Sequence, residues 1–171
     1  DEDGSRILGA VDIYGLMFHG PRFQPLKGVV ATIETTSGTG IEARVNSIQD
    51  LPDPRLFNIR GKAIIPDLTS YPMLIESCFQ AAGLTSMDLD SAESLPVGAK
   101  RILIAGEIPE GSLTVTSVRK GSETNGTFVH ESVIRLDGSP IMRIDGLKMK
   151  KLRDLNDDQR PGLAEYSGEL A

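Results

Sequence analysis

Short runs in which apolar and polar positions alternate dominate the chain: Arg6–Ile13, Leu26–Thr36, Gly40–Ser47, Ile59–Ile65, Lys100–Glu107, Ser112–Arg119, Thr127–Leu136 and Pro140–Leu152. Alternation sends successive side chains to opposite faces of an extended backbone, so these runs predict strands. Between them stand Ser37-Gly38-Thr39-Gly40, Pro109-Glu110-Gly111, Asn125-Gly126 and Asp137-Gly138, residues that tolerate positive φ or bond their own turn. Antiparallel hairpins follow, most clearly around Asp137-Gly138-Ser139-Pro140. One segment breaks the pattern. In Tyr71–Leu84, Leu74, Cys78 and Ala81 or Ala82 recur every three to four positions, as do Ile75 and Phe79. That spacing predicts a helix, with Pro72 in its first turn and Gly83 at its end. A helix apolar on nearly all sides is a buried one. The economical arrangement is a curved antiparallel sheet wrapped around one long central helix, an α+β fold.

The 171 residues suit a single domain, placed here at residues 1–153. Residues 154–171 lose apolar periodicity and are rich in acids, Gly and Ala, the composition of a disordered tail or linker. The first residues, Asp1-Glu2-Asp3-Gly4, show neither an initiator Met nor a secretory signal, which fits an excised piece. A net charge of -6 removes the attraction to phosphate backbones, so nucleic acid is not an expected partner. Cys78 is the single cysteine and cannot form an internal disulfide. With no apolar run near the length of a membrane span, a cytoplasmic, membrane-free location is expected.

Glu76 and Gln80 lie four apart on the predicted helix and so project from one face. A carboxyl taken out of water resists ionisation and can donate a proton near neutral pH, while a neighbouring amide can orient it. The same residues also fit a wet helix rim and a bridge to sheet backbone. His19 sits in Phe18-His19-Gly20-Pro21-Arg22-Phe23-Gln24, where Gly20 and Pro21 impose an abrupt bend of the kind that lines clefts. Histidine suits proton transfer, although a lone His beside Phe also fits a packed, hydrogen-bonded role. His130 shares a strand face with Phe128 and Ile134, as a core or sheet-surface histidine does. Metal binding has no ligand spacing to support it, and neither a nucleophile elbow nor a nucleotide loop is present. The basic run Lys148, Lys150, Lys151 and Arg153 fits either a docking patch for an acidic partner or a strand edge guarded by lysines.

The succession of Tyr14 through Phe18-His19-Gly20-Pro21-Arg22-Phe23-Gln24, then Tyr71-Pro72-Met73-Leu74-Ile75-Glu76-Ser77-Cys78-Phe79-Gln80, then Leu136-Asp137-Gly138 and Ile144-Asp145-Gly146-Leu147-Lys148, resembles dehydratase domains. The likeness is to the C-terminal hotdog half of dehydratases in polyketide synthases and polyunsaturated fatty acid synthases, over roughly residues 6 to 152. It implies a hotdog fold and loss of water from a β-hydroxyacyl chain, giving an α,β-unsaturated thioester for polyketide or fatty acid biosynthesis. The substrate would ride on the phosphopantetheine of an acyl carrier protein, with no metal and no other cofactor. It further implies catalytic roles for Glu76, Gln80 and His19, and substrate contact by Phe18, Gly20, Pro21, Phe23, Tyr71 and Phe79. Implied partners are the acyl carrier protein and neighbouring synthase domains or a second hotdog, from the same polypeptide or a homodimer.

Two departures matter. Glu76 stands where the family has Asp, and one added methylene shifts a carboxyl by about 1.5 Å, where errors on the order of 1 Å can cost about 10²-fold in rate. The family's catalytic His, in an H-x-x-x-G-x-x-x-x-P motif on the other hotdog, has no counterpart in this chain. A non-catalytic acyl-binding or structural hotdog, and more distantly a hotdog thioesterase, are therefore the alternatives.

Overall fold

The computed structural model describes residues 8–20, 23–46, 67–105, 111–156 and 159–161. Eight strands and two helices follow in the order β1 (Leu8–Gly9), α1 (Ala10–Leu16), β2 (Leu26–Thr35), β3 (Gly38–Val45), α2 (Asp67–Asp90), β4 (Ala92–Gly98), β5 (Arg101–Ile104), β6 (Leu113–Glu123), β7 (Thr127–Leu136) and β8 (Ser139–Asp154). All the strands join one antiparallel sheet in the order β1-β2-β3-β6-β7-β8-β4, with β5 also on β8. The sheet curls about α2, whose stretch Gln80–Met87 is buried throughout.

β7 shows how the pattern builds the core. Phe128, His130, Ser132, Ile134 and Leu136 are buried, and the residues between them are not, the period-two signature of a sheet with one face on the core. The β7–β8 hairpin turns through Asp137 and Gly138, both at positive φ, as a two-residue connection between right-twisted strands requires. In β8 the buried set changes parity, from Met142 and Ile144 to Leu147 and Met149. The switch occurs where Asp145 and Gly146 together oppose Glu131, a bulge in which Gly146 takes φ +59. Without that extra residue Met149 would face solvent.

Several elements depart from the sequence reading. Arg6–Ile13 is not one strand: after β1 the chain turns into α1, because the Asp12 carboxylate accepts the Gly9 N–H at 3.1 Å and Ile13 is fully buried. The described residues thus hold two helices rather than one. α2 begins ahead of Pro72 and runs past Gly83, since Leu84 and Met87 continue the buried surface and the Thr85 and Ser86 hydroxyls bond the carbonyls of Ala81 and Ala82. β4 went unread because Pro96 and Gly98 oppose strand assignment; Pro96 is tolerated because β4 ladders on one side only. The β2–β3 turn is Thr36–Ser37, and Gly40 instead marks a close crossing, where an added Cβ would lie 2.0 Å from the Ser117 carbonyl. β8 is no edge strand, having β7 on one side and β4 and β5 on the other. Lys148, Lys151 and Arg153 pair with Glu123, Asp154 and Glu93, and Lys150 bonds the Asn125 carbonyl. At the C-terminal end, placement continues beyond Asp154: Leu155 is buried and its N–H bonds Ser91, while residues 162–171 lie outside the described residues. So do the strand expected at Ile59–Ile65 and most of the turn at Pro109-Glu110-Gly111.

Polar groups pin α2 to the sheet. Ser86 Oγ lies 3.3 Å from His130 Nε2, Thr85 Oγ1 reaches the Ser117 carbonyl at 3.3 Å, and Ser132 Oγ donates to Ser117 Oγ at 3.0 Å. Burial, with the charge of Arg119 adding to it, pulls the His130 imidazole down to about 3. Above its ordinary value of about 6.5, His130 is neutral in folded and unfolded chains alike and costs nothing. Below that value the unfolded chain takes up a proton that the folded chain refuses, so stability falls as pH drops towards the folded value. Between about pH 7 and pH 5 this amounts to about 2 kcal/mol. Urea unfolding of His130→Gln, which keeps a group able to bond Ser86, should show an acid-dependent loss smaller than the native loss by that amount. Equal losses in both proteins would contradict it.

Candidate active site

The side chains with chemistry to offer meet where α1, the bend after it, α2 and β4 face one another. α2 contributes a stripe at helical spacing, Glu76, Phe79, Gln80, Gly83 and Met87, which lines one wall of a cavity of about 230 Å³. Opposite lie Leu16, Met17, Phe18 and His19 from the end of α1 and the bend, Glu93 to Pro96 from β4, and Met149 from β8. The cavity is apolar at its Met-lined end and polar where Glu76, Gln80 and His19 gather.

Hydrogen bonds converge on one oxygen of Glu76. His19 Nε2 lies 2.9 Å from Glu76 Oε1, and Gln80 Nε2 donates to the same oxygen at 3.0 Å. Gln80 is held at both ends of its amide. Its nitrogen also donates to the Phe23 carbonyl at 2.8 Å, and its oxygen accepts from the Tyr14 hydroxyl at 3.0 Å. The Tyr14 oxygen in turn accepts the Leu26 N–H at 2.8 Å. Burial, countered by that N–H and reinforced by Glu76, pushes the Tyr14 phenol well above its ordinary range, so Tyr14 remains a neutral donor. The bend is closed by Phe23 N–H on the Gly20 carbonyl at 2.9 Å and by Gln24 Nε2 on the His19 carbonyl at 3.1 Å. Phe18 stacks on the His19 ring at 4.7 Å between centroids. His19 Nδ1 is buried and has no hydrogen-bond partner among the described residues, as is Ser94 Oγ across the cavity. Glu76 and His19 remain reachable, with side chains 23% and 19% exposed.

Of the residues expected at the site, Glu76, Gln80, His19, Phe18 and Phe79 line the cavity. Gly20 and Phe23 act instead through their backbones, holding the bend and Gln80, while the Phe23 ring is half exposed. Tyr71 packs on the core away from the cavity, and Pro21 lies outside the described residues. Tyr14 stands in the motif that carries the family resemblance, but the sequence assigns it no role, because its bonds to Gln80 and to the Leu26 N–H join segments far apart in sequence. Among the described residues no cluster of three or more His, Cys, Asp or Glu could hold a metal ion. Cys78 is fully buried, and burial raises its thiol far above the reactive range.

Comparison with known proteins places this geometry. The family described as polyketide synthase dehydratase N-terminal domain matches residues 14–159. The chain belongs to the polyketide synthase dehydratase family. Its curled antiparallel sheet with a helix matches hotdog dehydratase structures. The PpsC dehydratase domain from Mycobacterium tuberculosis, solved in complex with C12:1-CoA, is 22% identical with a TM-score of 0.56 over 88% of this chain. A variant of that domain gives a TM-score of 0.61 at 21% identity over 90% of this chain. The RzxB dehydratase domain from Pseudomonas fluorescens gives 0.56 at 20% identity over 86%. At such identities the likeness is one of fold. The chain spans about half the length of these domains, between 50% and 54% of each. No curated protein matches the chain. No described helix is long and apolar enough to cross a membrane.

Removing the Tyr14 hydroxyl should loosen this dehydratase-family site before it touches the core. Tyr14→Phe leaves the buried Leu26 N–H and the Gln80 oxygen without partners, each costing about 1 to 3 kcal/mol when buried. Chemical denaturation is expected to show a loss of about 2 kcal/mol. A variant as stable as the native chain would mean that the hydroxyl does not hold Gln80.

Proposed function

We propose that this chain is the acid-bearing, C-terminal-type hotdog of a dehydratase from a polyketide or polyunsaturated fatty acid synthase. It acts on β-hydroxyacyl groups carried by an acyl carrier protein, beside neighbouring synthase domains in the cytoplasm. The observation that carries this reading is the convergence of two donors on Glu76 Oε1, at the polar corner of an apolar cavity, with His19 Nδ1 unpartnered beside it.

The arrangement divides the labour. Glu76, held through Oε1 by His19 Nε2 and Gln80 Nε2, serves as the acid in this reading, and His19 serves as the base. His19 takes the α-proton, the electrons of that C–H bond form the new double bond, and the β-carbon–oxygen bond breaks as the hydroxyl takes the Glu76 proton and departs as water. The 2.9 Å approach of His19 Nε2 to Glu76 Oε1 gathers acid and base at one corner of the cavity, as loss from a single face of the chain requires. No metal or redox cofactor enters these steps. In this reading the base comes from the same hotdog as the acid.

A second reading has its own support. His19 and Glu76 bond each other, and Glu replaces the family's Asp, as suits an acyl-binding hotdog without turnover. Incubation with a β-hydroxyacyl carrier protein, with and without the neighbouring hotdog, separates the two. Mass spectrometry should show loss of one water, slowed about 10² to 10⁴-fold by Glu76→Gln and by His19→Gln. Acyl binding without water loss, or undiminished turnover in Glu76→Gln, would overturn the catalytic reading.

A further inference from the structure

Gly83 has no evident reason to be glycine on grounds of folding. It lies inside α2, where glycine is a poorer helix former than alanine because it surrenders more backbone freedom. Its neighbours Ala81, Ala82, Leu84 and Thr85 are fully buried. At Gly40 an added Cβ would strike backbone, but at Gly83 it would meet only the tips of two flexible side chains, Met17 Cε at 3.4 Å and Met149 Cε at 4.0 Å. The bare backbone therefore leaves room in the cavity rather than relieving a clash in the fold.

Its position along the helix gives that room a use. Gly83 is seven residues beyond Glu76 on the same face, about 10 Å along the axis. Met17 and Met149 lie nearest it, and Met87 lines the same cavity one turn further along α2. Methionine is unbranched and adaptable, so such a wall yields to an unbranched apolar chain and resists one that is too long.

We propose that Gly83, with Met17, Met87 and Met149, sets the length of acyl chain that the cavity accepts. The inference rests on the acyl-binding reading of the cavity and adds the residue that measures the chain. An acyl group with its polar end at Glu76 and His19 runs along the bare helix surface at Gly83 and ends against the methionines. A side chain at position 83 shortens the accepted chain; a smaller residue at position 17 lengthens it.

Binding of butanoyl, hexanoyl, octanoyl, decanoyl and dodecanoyl pantetheine thioesters to the full chain, read by calorimetry, provides the test. Gly83→Val should weaken the longest native ligand about tenfold or more relative to butanoyl, since a methylene's worth of space in an apolar pocket carries that much discrimination. Gly83→Ala should move the preference the same way and melt no lower than the native protein. Met17→Ala should move it towards longer chains, which keeps the test decisive if the valine variant does not fold. An unchanged length profile in folded Gly83→Ala and Met17→Ala would overturn the proposal and leave the acyl site standing. Failure of the native chain to bind any of the thioesters would instead overturn the acyl-site reading itself.

Discussion

A carboxyl beside an apolar cavity needs hydrogen-bond donors in place of the water it has lost, and each donor must itself be held. At Glu76 this requirement reaches far through the molecule. Gln80, one turn along α2, is fixed by the Phe23 carbonyl and the Tyr14 hydroxyl, and Tyr14 by the first N–H of β2. His19 comes from the bend between α1 and β2. The acid is therefore oriented only when α1, the bend and the start of β2 are seated against α2. A partly formed network would strand buried polar atoms, so the site forms as a unit.

The sheet supplies the counterpart. α2 presents hydroxyls, Thr85 and Ser86, to β6 and β7, and its stripe from Glu76 to Met87 to the cavity. The bonds on the first side fix the rotation of the helix and so aim the second. The bulge at Asp145 and Gly146 has a comparable effect in β8, turning Met149 towards the cavity. Asp145 is clamped there by Arg101 and Arg143, which lower its carboxyl below the usual range and tie β5 to the bulge. Arg119 closes the far end of α2 by pairing with Asp90 while lying over the Phe128 ring at 4.1 Å.

Much of this was legible in the pattern of residues, and the failures share a cause. β2, β3, β6, β7 and β8 alternate plainly, and α2 is marked by its all-round apolar surface. What could not be read depends on tertiary partners. Pro72 looks like a helix boundary although α2 starts at Asp67, and Gly83 looks like one until the core is seen to bury Leu84 to Met87 beyond it. Pro96 hides β4 until its single-sided pairing is known. α1 is masked because Ile13 is the one buried residue among its seven, too few to set a helical period. The lysines of β8 resemble an edge because the partners of Lys148 and Lys150, Glu123 and the Asn125 carbonyl, come from the neighbourhood of another hairpin. At the site, Glu76 and Gln80 are adjacent by helical arithmetic, but the contact of His19 with Glu76 and the role of Tyr14 arise from folding distant segments together. Family likeness marked the motifs around these residues; the geometry shows which of them bond.

The central claim concerns where the protons sit: Nε2 of His19 gives its hydrogen to Glu76 and Nδ1 keeps a bare lone pair. Nitrogen-15 NMR of the labelled imidazole reads this directly. The account predicts a hydrogen on Nε2, the nitrogen 2.9 Å from Glu76 Oε1, and none on Nδ1, with the Nε2 signal moving in Glu76→Gln. A proton found on Nδ1 would remove the base, and with it this account of the site.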